Sequence, residues 1–263
     1  MNTVSESPRL DERFELAWLI MDEADEISSA AFRSQGYRID QKPDGTPVTD
    51  VDTRIERVML EAIWRKFPGD GTFAEETGGA ITPGEQWIID PLDGTGNFVE
   101  QLPVFAHMLA KTDGDAAFAI VSAPLLGRRW WTYQDVGAYE GIRPITVSSI
   151  DRIEQARICY GGLRDYTQPE AAGLVRLVRR CRRSRAFGNF LTAMLVAEGT
   201  YDLASIGSGG RPWDIVPLAM IVEAAGGRLT ALSGRPWDPE EAVLVSNRRL
   251  HPQAAASIAG QGD

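Results

Sequence analysis

Apolar residues recur at helical spacing in two segments of the N-terminal part of the chain. Within residues 9–35 they stand three or four positions apart, with acidic residues between them. A second such segment covers residues 51–67, and Thr49 with Asp52 three positions later resembles the capping box that starts a helix. Residues 40–49 are rich in Pro and Asp, so we predict two amphipathic helices joined by a turn-rich loop.

The middle of the chain carries the shorter apolar runs that are typical of strands. Residues 68–79 predict a loop with a short strand, and residues 86–90 predict a short buried strand that ends at Asp90. Between residues 104 and 139, further strand-like segments are separated by Gly and Asp turns. This part of the chain is therefore predicted to be rich in β-structure.

From residue 156 onward, strand and helix patterns alternate. We predict strands at 156–162, 201–207, 228–232 and 242–246, and helices at 169–181, 189–199, 214–225 and 251–259. A β-rich part followed by an alternating part predicts two closely packed layers that share one ligand crevice. With a boundary near residue 145, the chain divides into an N-terminal α+β half (1–145) and a C-terminal α/β half (146–263).

Composition narrows the class of protein. The 263 residues are 43% apolar and 24% charged, as in an ordinary globular chain. The formal net charge of −10 argues against a nucleic acid or a membrane as the main partner, although bound divalent cations can reverse the charge of a local site. No run of about 18 apolar residues occurs, and the first twenty residues lack the apolar core of a signal peptide. We therefore expect a cytoplasmic protein without a membrane segment.

One arginine-rich stretch, residues 179–185, departs from the acidic character of the chain. Cations are favourable in the last turn of a helix, so we interpret this stretch as a helix end that continues into a loop. A nucleic-acid-binding protein that uses these arginines is the alternative, and it would show a steep salt dependence of binding.

Carboxylates recur in four short segments, and three of them have ordinary explanations. Thr49 with Asp52, and Asp214 further on, can each serve as helix caps. Glu75 and Glu76 can be a solvated loop pair, since unpaired acids are rarely buried.

The loop after the buried strand is harder to explain in this way. Asp90 emerges at the end of the strand, which is the usual place for a ligand in layered α/β folds. Asp93 follows three residues later, with Pro91 stiffening the turn between them. Gly94 lets the backbone approach a ligand, and the amides of residues 94–96 can form an anion-binding concavity. Carboxylates beside free N–H groups suit a metal-bridged phosphate.

If the acidic segments converge, their carboxylates cannot all stay ionised without a cation. Two unit charges about 5 Å apart repel by roughly 3 kcal/mol at an effective dielectric constant near 20. The two cysteines, Cys159 and Cys181, lack zinc-site spacing, and we expect His107 and His251, far away in sequence, to be structural or surface residues. An all-oxygen set of ligands favours Mg²⁺, or Mn²⁺ in its place, over zinc.

The acidic segments together resemble the signatures of the inositol monophosphatase-like phosphatase superfamily. The matching segments are "PVTDVD" (47–52), "AEET" (74–77), "WIIDPLDGTGNF" (87–98) and "RPWDIVPLAMIVEAAGG" (211–227). They occur in the family's order and at its usual spacing. The resemblance implies a layered αβαβα sandwich like that of inositol monophosphatases and fructose bisphosphatases. It also implies a homodimer.

The resemblance implies a phosphatase with two or three Mg²⁺ ions in each active site. Glu75, Asp90 and the Leu92 carbonyl would hold the first ion. Asp90, Asp93 and Asp214 would hold the second. The N-terminal half would thus supply most metal ligands, and the C-terminal half would supply Asp214 and a wall of the substrate pocket.

The resemblance also assigns the residues that handle phosphate and water. The amides of Gly94 and Thr95 would receive the phosphate of a small monoester. Asp52 and the Thr95 hydroxyl would orient or deprotonate a metal-bound water, and Glu76 would assist through other metal-bound waters. In-line hydrolysis of this kind needs no covalent phosphoenzyme.

Several weaker stretches are similar to the bacterial histidinol-phosphate phosphatase branch. They are residues 42–52, 68–71, 121–124, 128–131 and 185–199. We therefore favour hydrolysis of L-histidinol phosphate to L-histidinol and phosphate. The expected substrate-binding residues are Gly94, Thr95, Gly96, Arg185, Asn189 and Asp214, with Arg185 at the pocket rim or in a neighbouring subunit's pocket.

Two positions depart from that branch. Gly96 replaces a common lysine, and Asn189 replaces the usual aspartate. An amide at position 189 removes a charge-assisted hydrogen bond to a cationic substrate, worth about 1.5–3 kcal/mol. Inositol 1-phosphate or another polyol or sugar phosphate is therefore the alternative substrate. An inactive member that binds metal and a phosphorylated ligand is the alternative from another class.

Overall fold

The chain folds into alternating layers of helices and sheets. A computed structural model describes residues 12–79, 86–112 and 117–261, and within them the order is helices, a seven-stranded sheet, helices, a five-stranded sheet and helices. The helices are α1 (Glu12–Ser34), α2 (Asp50–Lys66), α3 (Thr95–Val99), α4 (Gln168–Arg180), α5 (Asn189–Ala197), α6 (Pro212–Ala224) and α7 (His251–Ile258). The predicted αβαβα sandwich is confirmed.

The strands are numbered in chain order. They are β1 (Ile39–Gln41), β2 (Pro47–Thr49), β3 (Gly71–Ala74), β4 (Gln86–Asp93), β5 (Ala106–Thr112), β6 (Phe118–Ala123), β7 (Arg128–Tyr133), β8 (Ala138–Glu140), β9 (Arg143–Ile145), β10 (Arg157–Tyr160), β11 (Arg183–Ala186), β12 (Leu203–Ile206), β13 (Arg228–Ala231) and β14 (Val243–Ser246). β1 and β2 form a separate antiparallel hairpin.

The seven-stranded sheet has the order β3-β4-β5-β6-β7-β8-β9, in which β3 and β4 are parallel and the later pairs are antiparallel. α1 and α2 cover one face, where Phe14, Trp87 and Ile89 are buried together. Ile88 points to the other face and packs against the central helices. Because side chains alternate along a strand, Asp90 also faces the central layer.

The five-stranded sheet has the order β11-β10-β12-β14-β13, with β10 parallel to β11 and β12 and with β14 antiparallel to its neighbours. α5 and α6 fill the layer between the sheets, where Phe190 and Ile221 are buried with Val243. α4 and α7 cover the outer face through Leu174 and Ala254. The N-termini of α5 and α6 are thereby brought close to the end of β4.

Four short elements differ from the sequence prediction. β1 and β2 pair within the segment predicted as turns, around the tight turn at residues 42–46. β11 forms in the arginine-rich stretch and pairs with β10 at the sheet edge, where charged side chains are tolerated because one flank stays open to solvent. α3 has only five residues, too few for a periodic pattern to predict.

Two helix starts also differ. α1 was predicted from residue 9, and residues 9–11 lie outside the described part of the chain. α6 begins at Pro212, because proline suits the first turn of a helix, so Asp214 is the third helical residue and not the N-cap. The prediction that the helix begins after Asp214, with Asp214 as its N-cap, was therefore wrong.

The strands of the two sheets follow one another along the chain. β9 ends the first sheet at Ile145, and β10 begins the second at Arg157. The division into halves near residue 145 stays a prediction, since α5 and α6 bury side chains against both sheets. Among the described residues, no helix combines the length and apolar character needed to cross a membrane.

Candidate active site

β4 does not end at Asp90 but continues to Asp93 through a bulge. The ladder pairs Asp90 with Met108 and Asp93 with Ala106, and its register shifts between these two pairs. Pro91 lies between the two aspartates and causes this shift in register, because it has no N–H to donate to the ladder. The predicted end of the strand at Asp90 was therefore wrong. We call residues 90–95 the aspartate loop.

Glycine is required where the aspartate loop enters α3. Gly94 has φ of 88°, in the left-handed region, and a Cβ there would lie 3.0 Å from the Val104 carbonyl oxygen and 3.0 Å from Asn189 Nδ2. Thr95 begins α3, and no side chain of the described residues caps that helix. A Cβ at Gly96 would meet no described atom within 4 Å, so this position is open to larger side chains.

Asp52 is fully buried and is held entirely by hydroxyl and amide donors. Oδ2 accepts the N–H of Thr49 at 2.9 Å and its hydroxyl at 2.5 Å, which confirms the capping box of α2. Oδ1 accepts the Thr95 hydroxyl at 2.8 Å. That hydroxyl also lies 3.1 Å from the Leu92 carbonyl oxygen. Asp52 therefore both caps a helix and contacts the aspartate loop.

The two glutamates after β3 are held from two sides. Glu56, buried on α2, accepts the N–H groups of Glu76 and Thr77, each at 2.7 Å. Lys42 Nζ reaches from the hairpin turn to Glu75 Oε1 at 2.6 Å and Glu76 Oε1 at 2.8 Å. The pair is thus a positioned, ion-paired element and not a solvated one.

Three aspartates converge, of which Asp214 is far from the other two in sequence. Asp90, Asp93 and Asp214 each present a carboxylate oxygen within 4.8 Å of the others. Asp93 accepts the N–H of Phe190 at the start of α5, at 2.8 Å, and Asp214 accepts the N–H of Arg211 at 2.5 Å. Asp90 Oδ2 is buried and finds no donor among the described residues. An unsatisfied anionic oxygen at this place indicates a cation site.

The raised pKa values of the three aspartates also indicate a cation site. Burial raises the pKa of Asp93 to about 7, although the hydrogen bond from the N–H of Phe190 lowers it. Burial, together with the charge of Asp93, raises the pKa of Asp214 to about 7. Burial and the neighbouring carboxylates, Glu75 first among them, raise the pKa of Asp90 well above its usual range. A bound hard cation would reverse these shifts, so the all-oxygen set fits Mg²⁺.

A cavity of about 760 Å³ opens over the aspartates. Its lining includes Lys42, Asp44, Phe73, Glu75, Gly94, Thr95, Gly96, Asp165, Asn189, Arg211, Trp213 and Asp214. It is large enough for a small phosphate ester, and it offers carboxylates, one lysine and one arginine around a charged substrate.

A sequence profile of the inositol monophosphatase family matches residues 9–262. The chain belongs to this family. It is 39% identical to a histidinol-phosphatase of Mycobacterium tuberculosis over 92% of this chain and 96% of that protein. It is 36% identical to a histidinol-phosphatase of Streptomyces coelicolor over 90% of this chain and 93% of that protein. The predicted family and its histidinol-phosphatase branch are confirmed.

A solved inositol monophosphatase has the same fold. The IMPase of Thermotoga maritima superposes with a TM-score of 0.84 at 26% identity, covering 95% of this chain and 98% of that chain. The chain is accordingly a phosphoric monoester hydrolase of the inositol monophosphatase family. Members of the family are generally Mg²⁺-dependent, and this phosphatase has a cluster of three aspartates that could hold a metal ion.

The phosphatase brings most of the predicted site residues together, with one exception. Glu75, Gly94, Thr95, Gly96, Asn189 and Asp214 line the cavity. Arg185 does not line it: this exposed residue lies on the edge strand β11, and its guanidinium donates to the Ser184 carbonyl at 2.8 Å. A role for Arg185 in substrate binding, from the same or a partner subunit, stays a prediction.

Asn189 is engaged with the aspartate loop. Its side-chain amide hydrogen-bonds to Asp93, lowering the pKa of that carboxyl against the larger effect of burial. Its backbone has φ of 51°, a left-handed conformation that asparagine tolerates better than most residues. Asn189 is therefore a neighbour of Asp93 as well as of the cavity.

Sequence reasoning missed several residues that hold the site. Lys42 begins one of the weaker similar stretches but was given no role, Asp165 lies outside all of them, and Glu56 is one of many acids on a helical face. Glu56 carries one available signal, since it stands four residues after Asp52 and thus on the same buried face of α2. His107, expected to be structural or a surface residue, is buried against Pro91.

Proposed function

We propose that this phosphatase hydrolyses L-histidinol phosphate by a Mg²⁺-dependent mechanism. The convergence of Asp90, Asp93 and Asp214 beneath the cavity, with a buried unsatisfied oxygen on Asp90, carries the metal proposal. The identity of 39% to a histidinol-phosphatase over nearly the whole chain supports the choice of substrate.

The carboxylates of Glu75, Asp90, Asp93 and Asp214, with the Leu92 carbonyl, would hold two or three Mg²⁺ ions. Mn²⁺ would be a possible substitute. Bound Mg²⁺ would lower the pKa of a coordinated water and neutralise charge on the phosphate and the leaving oxygen. Glu76, which Glu56 and Lys42 hold in place, would orient further waters.

The residues of the chain supply proton handling and phosphate binding. Thr95 donates its hydroxyl proton to Asp52, so its oxygen keeps lone pairs to accept a proton from the attacking water. Burial raises the pKa of Asp52, which makes this carboxylate a better final proton acceptor. The amides of Gly94 and Thr95, at the uncapped start of α3, would receive phosphate oxygens.

The cationic amine of histidinol needs an anionic partner in the pocket. Asn189 is neutral and hydrogen-bonds to Asp93. Asp165 also lines the cavity, and among the described residues it forms no ion pair, so its carboxylate is available. We assign the amine of the substrate to Asp165.

Inositol 1-phosphate, or another polyol or sugar phosphate, is the second candidate. The neutral amide of Asn189 favours it, because a hydroxyl is better matched by an amide than a cation is. Gly96 leaves room there for a bulkier leaving group.

Phosphate release from a substrate panel tests both candidates. Histidinol phosphate, inositol 1-phosphate, fructose 1,6-bisphosphate and phosphoadenosine phosphate would be compared with Mg²⁺ and with EDTA. We expect the highest kcat/KM with histidinol phosphate and no turnover in EDTA. Turnover that survives EDTA would refute the metal mechanism, and no turnover of any ester would favour a binding protein without activity.

Asn189→Asp separates the two substrates further. If position 189 recognises the amine, this variant gains activity on histidinol phosphate. If Asp165 recognises it, the variant gains no activity on histidinol phosphate.

A further inference from the structure

His107 lies directly opposite the bulge of the aspartate loop. β4 and β5 place Pro91 and Leu92 together opposite this single residue. The extra residue of a bulge is left unpaired, so a buried carbonyl there needs a donor from outside the ladder. The Pro91 carbonyl has such a donor, since His107 Nδ1 lies 2.5 Å from its oxygen.

The contacts of the imidazole assign its tautomer. A carbonyl oxygen only accepts, so Nδ1 carries the proton in the contact with Pro91. Nε2 is then bare and accepts the hydroxyl of Ser28 on α1 at 2.9 Å, a shorter contact than the 3.3 Å from that hydroxyl to the Asp25 carbonyl oxygen. Burial lowers the pKa of His107, which keeps the ring neutral. A neutral ring with one donor and one acceptor satisfies both neighbours.

The carboxylate behind the ring is paired through only one of its two oxygens, since Asp25 Oδ1 is buried without a hydrogen-bond partner among the described residues. Asp25 Oδ1 lies 3.7 Å from His107 Nε2. Asp25 Oδ2 accepts Ser122 Oγ and Arg129 Nη2, each at 2.7 Å. The positive charge that Asp25 requires thus comes from Arg129, and the histidine does not have to supply it. A continuous set of contacts runs from α1 and β7 through the ring to Pro91.

We propose that His107 is a positioning residue for the aspartate loop. Its Nδ1–H holds the Pro91 carbonyl, and with it the bulge that aims Asp90 and Asp93 at one point. Pro91 has no N–H, so its carbonyl is the only backbone group through which a hydrogen bond can fix it. The inference rests on the proposed metal site. Loss of such an outer contact typically lowers metal affinity about 10- to 100-fold.

Two amide substitutions test the roles of the two ring nitrogens separately. In His107→Asn the amide nitrogen stands near the position of Nδ1 and keeps a donor for Pro91. In His107→Gln it stands near Nε2, where it can only donate, so the contact with Ser28 is kept with the direction of the hydrogen bond reversed. The smaller asparagine leaves a larger cavity, so we expect His107→Asn to be the less stable variant.

We expect the order of the two variants in metal affinity to be opposite to their order in stability. Mn²⁺ binding, measured from the electron paramagnetic resonance signal of the free ion, is expected to be close to wild type in His107→Asn and about tenfold weaker in His107→Gln. A purely structural role would make metal affinity follow the melting temperature. Equal affinities in the two variants, or the reverse order, would overturn the inference.

His251 provides a matched control. It is also buried, with Nε2 3.0 Å from Thr230 Oγ1 and Nδ1 2.8 Å from Ser246 Oγ, but it belongs to α7. His251→Gln should lower the melting temperature and leave Mn²⁺ affinity unchanged. Failure of the wild type to bind Mn²⁺ would overturn the proposed function together with this inference. Normal wild-type binding with unaffected variants at position 107 would overturn this inference alone.

A spectrum of the wild-type protein tests the hydrogen bond without any variant at position 107. The sequence contains two histidines, so ¹⁵N signals of the labelled rings can be assigned with His251→Gln. We expect His107 to show the tautomer protonated at Nδ1. A ring protonated only at Nε2 would overturn the inference, even if a variant failed to fold.

Discussion

The Thr95 hydroxyl donates a 2.8 Å hydrogen bond to Oδ1 of Asp52. Oδ2 of Asp52 is meanwhile occupied by both donors of Thr49, so Thr95 is the contact of this carboxylate that faces the cavity. In the proposed mechanism, a proton that leaves a water in the cavity would therefore pass through Thr95 to Asp52.

Replacing Asp52 by asparagine should remove most of the turnover. The amide cannot take up a proton, and its NH₂ group would face a hydroxyl or an N–H donor. We expect kcat to fall by about 10²- to 10⁴-fold at saturating Mg²⁺. Asp50→Asn, at the exposed start of α2, is the matched control and should change kcat little. Normal turnover in Asp52→Asn would contradict the relay.

Glu56→Gln should loosen the loop that carries Glu75. One carboxylate accepts two backbone N–H groups here, and glutamine has only one acceptor oxygen for them. We expect Mg²⁺ affinity, measured by calorimetry, to fall by about tenfold, as for other outer contacts of metal ligands. Glu61→Gln on the exposed side of the same helix should behave like wild type. Unchanged affinity in Glu56→Gln would show that the loop holds its shape alone.

Much of the fold follows from sequence because its periodic elements are long or strongly apolar. The capping box at Thr49 and Asp52, and the buried strand at Trp87 to Asp90, were predicted from local patterns that the structure keeps. The bulge was not predicted, since Pro91 alone is compatible with a turn or with an irregular strand. The pairing of Asp90 with Met108 decides between them, and that pairing is a tertiary contact.

In the candidate site, too, some residues could be predicted from the sequence and others could not. Its acids were found because several of them stand in short, specific motifs. The residues that hold those acids, such as Glu56 and Lys42, act across 20 or more positions of sequence, as in the contact between Glu56 and Glu76. No local pattern reports such contacts. The fold has to be known before they become visible.

The pH dependence of stability should depend on the metal. In the metal-free protein, burial raises the pKa of Asp93 and Asp214 to about 7, above the value near 4 of an unfolded chain. Between about pH 4 and 7 the folded state therefore retains protons that the unfolded state releases. The contribution of these groups to folding stability falls as the pH rises through that window.

Thermal unfolding from pH 5 to 8, in EDTA and in Mg²⁺, measures this effect. Because the cation requires ionised carboxylates, the increase in melting temperature on adding Mg²⁺ should be larger at pH 8 than at pH 6. A stabilisation by Mg²⁺ that is largest at pH 5 would contradict the assignment of these aspartates as ligands.

Lys42→Gln should tighten Mg²⁺ binding. Burial disfavours the charged ammonium, but hydrogen bonds to Glu75 and Glu76 raise the pKa of Lys42, so it stays positive beside the proposed metal ligand Glu75. Removing this competing cation is expected to lower the Kd for Mg²⁺ by roughly threefold to tenfold, the scale of a partly exposed ion pair. Calorimetry at pH 8 measures the change. Lys66→Gln, whose partner is the exposed Glu12, should have no effect.

Asp165→Asn should lower activity on a cationic substrate only. The carboxylate stands on the cavity wall, where the N–H of Ser208 donates to the Asp165 carbonyl at 2.7 Å. Gly207 permits this packing, since a Cβ there would lie 2.4 Å from Asp165 Cβ. A charged hydrogen bond lost to the substrate amine should raise KM for histidinol phosphate by about tenfold or more. The KM for inositol 1-phosphate, which has no amine, should stay unchanged, and Asp44→Asn provides the control for a general change in cavity charge. Equal effects of Asp165→Asn on both substrates would show that Asp165 does not recognise the amine.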